Sequence, residues 1–426
     1  MQTKSLNKSL HKASQAKNDE FYTQLGDIAH ELKHYRDELR GKVILCNCDD
    51  PFESNFFKYF AANFNTLGLK KLIATSYQKS PIVGGQLPLF DIEGLKPDGK
   101  EPYVVEINEV PDMNNDGAIS LDDVEHLLKH DKNVAMPLKG GGDFRSKECV
   151  ALLKQADIVI TNPPFSLFRE YIAQLVEHNK KFLIIGSKNA ITYKEIFKLI
   201  KENKLWLGYG FSAGNAFFKI PPEKSREFAA GVYDPKTGLV KFRNVGWFTN
   251  LYVDKSEDPI TPYLTYKQGR KKGLYPKYDN YDAIEVSKIA EIPSDYKGVM
   301  GVPITFLDKW VPESGIEIVK FRKGNDDKDL AFTRERERES TTVLQNTHSL
   351  SSGRRESLNQ MESVSNTRRV GHTLRDKGSM QDYSLNKFEI VGHVGSVGAD
   401  GVYSFANAIY VNGKKLFKRI LVKRTK

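Results

Sequence analysis

Short, mostly apolar runs separated by amphipathic stretches set the pattern of the first half of the chain. Val43-Ile44-Leu45-Cys46-Asn47-Cys48 and residues 69–75, 104–107, 158–161 and 182–186 are runs of four to seven residues, the length and composition of buried strands. Between them, apolar residues return at helical spacing. Leu25, Ile28, Ala29, Leu32, Tyr35 and Leu39 form one such stripe, and Leu167, Tyr171, Ile172 and Leu175 another. Strands alternating with helices predict an α/β fold with a parallel sheet, and open sheets of this kind place ligands beyond the carboxyl ends of their strands.

From about residue 205 the pattern changes. Residues 206–211, 240–243 and 247–252 read as short, turn-linked antiparallel strands. Residues 330–383 differ again. Arg334-Glu335-Arg336-Glu337-Arg338-Glu339 opens a Ser-, Thr-, Asn- and Arg-rich stretch with no aromatic between Phe332 and Tyr383. Such a stretch buries too little surface to offset its ordering entropy, so a disordered insertion is expected there. Strands resume near 388–391, which echoes 316–319, and near Leu421. The expected divisions are therefore 1–40, 41–204, 205–329, 330–383 and 384–426.

Composition narrows the function classes. The chain has 426 residues, 39% of them hydrophobic, and a formal net charge of +10. A basic balance suits a polyanion partner without requiring one. No run approaches the roughly 18 apolar residues of a membrane span, and residues 1–19 lack the apolar core of a signal peptide. Three cysteines, Cys46, Cys48 and Cys149, show no metal spacing and make no disulfide framework. A reduced, cytoplasmic protein is expected.

The chemistry concentrates at Asp157-Ile158-Val159-Ile160-Thr161-Asn162-Pro163-Pro164-Phe165. Two prolines stop the strand and stiffen the turn that follows it. Asn162, Pro163, Pro164 and Phe165 then offer an amide, a carbonyl and an aromatic face, which together suit a flat group bearing an exocyclic NH2. The bare alternative is a tight turn. Asp49-Asp50-Pro51-Phe52-Glu53-Ser54-Asn55 follows the first strand of the sheet, where a nucleoside cofactor sits in such folds. It lacks the usual glycines, and a helix-capping turn fits the same residues. Gly140-Gly141-Gly142-Asp143-Phe144 is a flexible loop with one acid. Residues 112–123 match a calcium-loop pattern, but no helix precedes them and Asp123 stands where a bidentate Glu is usual; no metal is assigned. Residues 263–275 interleave aromatics and glycines with Lys267, Arg270, Lys271 and Lys272, and read as a mobile loop that contacts phosphates or as a solvated charge run.

Asn162-Pro163-Pro164-Phe165 after a strand resembles the catalytic signature of amino-directed methyltransferases that use S-adenosyl-L-methionine. The Asp49-Asp50-Pro51-Phe52-Glu53-Ser54 stretch and residues 298–307 are similar to the EcoRI-type adenine-specific (N6) DNA methyltransferase family. That resemblance implies a Rossmann-like S-adenosylmethionine-dependent methyltransferase sheet over 41–204, with an added, mostly β DNA-recognition region over 205–329. It implies Asn162, Pro163, Pro164 and Phe165 as catalytic residues. It implies a cofactor site built from Phe21, Tyr22, Thr23, Asp49, Asp50, Pro51, Phe52, Ser54, Asn55, Asp143 and Phe144. In this site the N-terminal segment closes over the cofactor and Asp143 accepts from its adenine amino group. It also implies methyl transfer to a flipped adenine of double-stranded DNA, within a short specific site, in a bacterial or phage nucleoid, either as an orphan methylase or in a restriction-modification system whose cognate endonuclease acts on the same site. An RNA base methyltransferase and a DNA-binding homologue without catalysis share enough of these features to stand as alternatives. No membrane partner is expected.

Overall fold

The structure, a computed structural model, describes residues 22–48, 51, 54–77, 102–111, 133–139, 141–211, 215–219, 232–255, 260–279, 281–321, 409–412, 414–416 and 419–425. Two compact units result: residues 1–260 with 305–314, and residues 261–304 with 315–426.

The first unit begins with β1 (Tyr22–Thr23), α1 (Leu25–Leu32), β2 (Val43–Cys46), α2 (Asn55–Ala62), β3 (Lys71–Thr75), β4 (Tyr103–Ile107), β5 (Val134–Pro137) and α3 (Lys147–Gln155). It continues with β6 (Ile158–Thr161), α4 (Phe168–Glu177), β7 (Lys181–Ser187), α5 (Lys194–Lys201), β8 (Trp206–Leu207), β9 (Ala216–Lys219), β10 (Tyr233–Asp234), β11 (Leu239–Phe242) and β12 (Val245–Thr249). Eight of these strands form the main sheet, in the order β5-β4-β3-β2-β6-β7-β12-β8.

The central four, β3, β2, β6 and β7, are parallel. The sheet as a whole is mixed, which corrects the expectation of a parallel one. β4 is antiparallel to β3, β5 to β4, β12 to β7 and β8 to β12. The apolar pattern of one strand says nothing of its direction; the connection does. A parallel neighbour requires the chain to return to the starting edge. Here β4 begins where β3 ends, with Ser76 N–H donating to the Tyr103 carbonyl at 2.9 Å. β5, not recognised in the sequence, is a four-residue edge strand that ends in Pro137, a residue confined to edges because it cannot donate to a ladder. The boundary expected at 204/205 runs through this sheet: β12 is buried at all five positions and pairs directly with β7.

One face of the sheet packs on α1 and α2. Ile28, Leu32, Tyr35 and Leu39 bury the stripe read from the sequence, against Ile44, Cys46, Leu72, Ile158, Ile160, Leu183, Ile185 and Trp247. Each such aliphatic side chain contributes about 1.5–3 kcal/mol on burial. On the other face Phe168 packs on Phe248 and fits only because residue 186 is glycine, where a Cβ would lie 2.3 Å from the Phe168 ring. A smaller sheet, in the order β1-β9-β11-β10, holds the N-terminal strand antiparallel to β9.

The second unit contains α6 (Tyr266–Lys271), β13 (Ala283–Glu285), β14 (Val299–Pro303), β15 (Ile316–Phe321), the hairpin β16 (Ile409–Val411) and β17 (Lys414–Leu416), and β18 (Arg419–Arg424). Its sheet runs β13-β14-β18-β15. The strand nearest the C-terminus is therefore interior, and Leu421 joins Tyr278, Tyr281, Ala283 and Val299 in the core. Residues 263–275 are not a loop throughout: Thr265 and Gln268 form a reciprocal capping box that starts α6. Gly269 serves close packing, since a Cβ there would lie 2.0 Å from the Tyr275 ring.

The calcium-like stretch 112–123, the expected insertion 330–383 and the echo at 388–391 lie outside the described residues. Among the described residues no cluster of His, Cys, Asp and Glu could hold a metal ion, and no helix is long and apolar enough to cross a membrane.

Arg419 in β18 donates to Glu285 in β13 through Nε and Nη2 at 2.9 and 2.7 Å. The Tyr278 hydroxyl donates to the same carboxylate, whose side chain is only 4% exposed. Removing one member of a buried pair leaves an uncompensated charge. Arg419→Ala should therefore destabilise the second unit by about 3–5 kcal/mol, read as a shift in its urea unfolding midpoint. A double variant, Arg419→Met with Glu285→Leu, should recover most of that loss.

Candidate active site

The strands of the main sheet end in step. Continuing their register, Asn47 after β2 stands level with Thr75 in β3 and Thr161 in β6, and Thr161 pairs with Ile184 in β7. β8 runs parallel to β7, because both are antiparallel to β12, so residues 208–211 emerge at this same edge. The segment after β5 also emerges here: Leu138 N–H donates to the Pro102 carbonyl at 2.7 Å. Neighbours β3 and β6 lie on opposite sides of β2, which makes the carboxyl ends of β2 and β6 a switch point, the crevice where open α/β sheets bind ligands.

Asn162, Pro163, Pro164 and Phe165 lie at this crevice. Asn162 is 8% exposed, and Phe165 is half-buried against the Phe218 ring of β9 at 6.4 Å. The ends of β6 and β2 are tied together, with Cys48 N–H donating to Thr161 Oγ1 at 3.2 Å. Leu167 N–H donates to the Pro164 carbonyl at 3.0 Å and closes a tight turn into α4. From that helix the Tyr171 hydroxyl donates to Asn47 Oδ1. The Tyr171 ring meets the Phe144 ring edge-on at 5.0 Å. Four segments distant in sequence thus converge.

The residues on the cofactor side divide. Ser54 caps α2, its Oγ accepting from Phe56 N–H at 3.1 Å, and Asn55 Nδ2 donates to the Thr23 carbonyl at 2.7 Å. Capping is thus real, and Asn55 ties β1 to α2. Pro51 is buried; Phe21, Asp49, Asp50, Phe52 and the Tyr22 side chain lie outside the described residues. Gly142 has φ of +69°, and a Cβ there would lie 2.1 Å from the Ser76 carbonyl oxygen. This close approach seats the glycine turn on the end of β3 and delivers Asp143 to the crevice. The Asp143 carboxylate is gripped by Arg145. Phe144 is buried, and its carbonyl accepts from Gln174 Nε2 at 3.1 Å. Three polar atoms at this edge, Thr23 Oγ1, Asn47 Nδ2 and Thr75 Oγ1, are buried without a partner among the described residues. Buried polar groups are costly in that state, and their presence fits an edge built to receive a polar ligand.

The family model for adenine-specific methyltransferase EcoRI matches residues 9–425. The chain belongs to that family. It is 47% identical over 330 residues to the type II methyltransferase M.EcoRI of Escherichia coli, covering 76% of this chain and 93% of that protein. It is 39% identical over 310 residues to M.MpnI of Mycoplasma pneumoniae, covering 71% and 82%. It is 37% identical over 311 residues to M.MgeORF184P of Mycoplasma genitalium, covering 71% and 83%. No solved structure matches the chain. Membership in the family makes the chain an enzyme, an adenine-specific methyltransferase.

The four cations assigned to DNA lie in the second unit. Lys267, Arg270, Lys271 and Lys272 are exposed along and just beyond α6. Tyr266 and Tyr275, interleaved with them in sequence, stack on each other at 5.7 Å, so these rings pack rather than reach outward.

Sequence reading missed Glu31, which lay inside an apolar stripe. It is fully buried, and its carboxylate accepts from Tyr35 Oη at 2.8 Å and from the backbone N–H groups of Tyr209 and Gly210 at 2.9 and 2.8 Å. It thereby holds the segment after β8 at the edge that carries Asn162. Residue 208 must be glycine, since a Cβ would lie 2.1 Å from Glu31 Oε1. Burial pushes the carboxyl from 4.5 up to about 7, against the opposing pull of its three donors and Lys255. A proton held more tightly in the folded chain stabilises it most below pH 4.5, and that contribution is lost as pH rises through about 7. Wild type should lose about 3 kcal/mol across this window relative to Glu31→Gln, which has no proton to release. Urea unfolding of both proteins at pH 4.5, 6 and 8 checks it.

Proposed function

We propose that the protein transfers a methyl group from S-adenosyl-L-methionine to the N6 amino group of an adenine flipped out of double-stranded DNA, within a short specific site. The main sheet is read as a Rossmann-like methyltransferase sheet, and the second unit as the bearer of DNA-recognition residues, Lys267, Arg270, Lys271 and Lys272 among them. The observation that carries this reading is the placement of the Asn-Pro-Pro-Phe turn at the switch point between β2 and β6. The Asp143 turn is docked beside it through Phe144, Tyr171 and Asn47.

Bound donor supplies an electrophilic methyl on a sulfonium sulfur. Thr23, Pro51, Ser54 and Asn55 line its side of the crevice, with Phe21, Tyr22, Asp49, Asp50 and Phe52 assigned there by family resemblance. Asp143 accepts from the donor's adenine amino group. Asn162 Oδ1 and the Pro163 carbonyl accept the hydrogens of the target NH2. Held this way, the nitrogen lone pair is drawn out of conjugation with the base. In that orientation the lone pair would face the methyl that the donor would give up with its carbon–sulfur bond, and the amine's proton would then be lost to water. Preorganised acceptors aimed at developing charge are worth most in a buried site. Phe165 stacks on the base, and the turn supplies alignment. Because the amine of a paired adenine is buried in the duplex, the base must be extruded. The names of the relatives, type II methyltransferases, support a restriction–modification setting.

The test is transfer of labelled methyl from S-adenosylmethionine to unmethylated duplex DNA. Label should appear in N6-methyladenine, and Asn162→Ala should lower kcat by about 100-fold or more. Label entering RNA but not DNA, or none entering either, would sink the proposal.

A further inference from the structure

Arg145 stands two residues beyond Asp143 and outside every motif read from the sequence. Its backbone N–H and its Nε both donate to Asp143 Oδ1 at 2.9 Å, and Nη2 donates to Asp143 Oδ2 at 2.8 Å. The remaining arm, Nη1, donates to Glu170 Oε2 at 2.8 Å. Glu170 lies in α4, the helix entered directly from the Asn-Pro-Pro-Phe turn.

We propose that Arg145 is a positioning residue for the cofactor: it fixes the plane of the Asp143 carboxylate and braces it against the helix that carries the catalytic turn. This rests on the reading of Asp143 as the acceptor for the donor's adenine amino group. Two observations separate the role from plain stabilisation. The turn is already docked by buried groups on the same helix, with Phe144 on Tyr171 and Gln174 on the Phe144 carbonyl. The Arg145 and Glu170 side chains, by contrast, are 45% and 58% exposed, and ion pairs that exposed add little to stability. What Arg145 restrains is rotation about the last torsion of Asp143, which is broad for an unrestrained carboxylate. A single hydrogen bond leaves that rotation open. A guanidinium fork on both oxygens closes it, and a directional N–H donor on the adenine is then met in one orientation.

The experiment compares S-adenosylhomocysteine with S-inosylhomocysteine, which carries an oxygen in place of the amino group, by calorimetry on the full chain. Wild type should prefer the adenosyl compound by about 100-fold. Asp143→Asn should abolish the preference. Arg145→Gln should reduce it by about 10-fold, with the thermal midpoint nearly unchanged. Arg145→Lys, a point charge without a fork, should resemble Arg145→Gln. Merely structural damage would weaken both compounds equally and leave their ratio intact. If Asp143→Asn loses the preference while both Arg145 variants keep it, the positioning role is overturned and the Asp143 reading survives. If wild type shows no preference, or Asp143→Asn retains it, the Asp143 reading falls and takes this inference with it.

Discussion

The active edge of the first unit depends on where β6 stops. Pro163 and Pro164 have no N–H to offer a neighbouring strand, so the ladder between β6 and its partners ends after Thr161 whatever the tertiary context prefers. The strand therefore ends at the switch point between β2 and β6. Everything else at the site is arranged around that fixed point. Thr161 steadies the end of β2, Tyr171 reaches from the following helix to Asn47, and Phe165 meets β9. The small sheet that holds β1 is thereby brought against the Asn-Pro-Pro-Phe turn. β1 is held there by strand pairing with β9.

Both units use a buried carboxylate to join segments far apart in sequence. Glu31 holds residues 209 and 210, and Glu285 holds Arg419. Burying such groups carries a desolvation cost that an apolar pair of the same shape would avoid. What the acid adds is register: an apolar contact tolerates sliding, whereas a carboxylate with two or three directed donors accepts one alignment. For Glu31 that alignment sets the backbone after β8, at the edge that carries Asn162. For Glu285 it sets β18, an interior strand that comes late in the chain.

How much was legible follows from what each signal encodes. Apolar runs marked β2, β3, β4, β6 and β7 within a residue or two, because burial on both faces is written into consecutive side chains. Strand direction was not legible, since Val104 and Val105 look the same in either orientation; hence a mixed sheet stood where a parallel one was expected. β8 and β12 were seen as strands but assigned to a separate region, because nothing local in Trp247 or Phe248 names β7 as the partner. The turn after β6 was legible through proline, whose effect is local and unconditional. Arg145 was not, because its meaning lies in a distance to Glu170 that no spacing in the sequence implies. The capping box at Thr265 and Gln268 was present in the sequence and was overshadowed by the charges around it.

The acceptors at the turn are neutral, and the chemistry explains why. An aspartate at position 162, as buried as Asn162, would suffer desolvation and hold its proton. The amide oxygen of Asn162 accepts a hydrogen bond without that penalty. Nor is a strong base needed: once the nitrogen has taken the methyl it is cationic, and its proton is acidic enough for water to remove. A perturbed carboxyl is a common sign of catalysis, and by that sign Glu31 would be chosen first. Its donors are Tyr35 and the backbone of Tyr209 and Gly210, and its shift arises from burial. In this fold the displaced proton affinity marks a structural anchor, and the turn proposed to be reactive is built from groups that do not titrate at all.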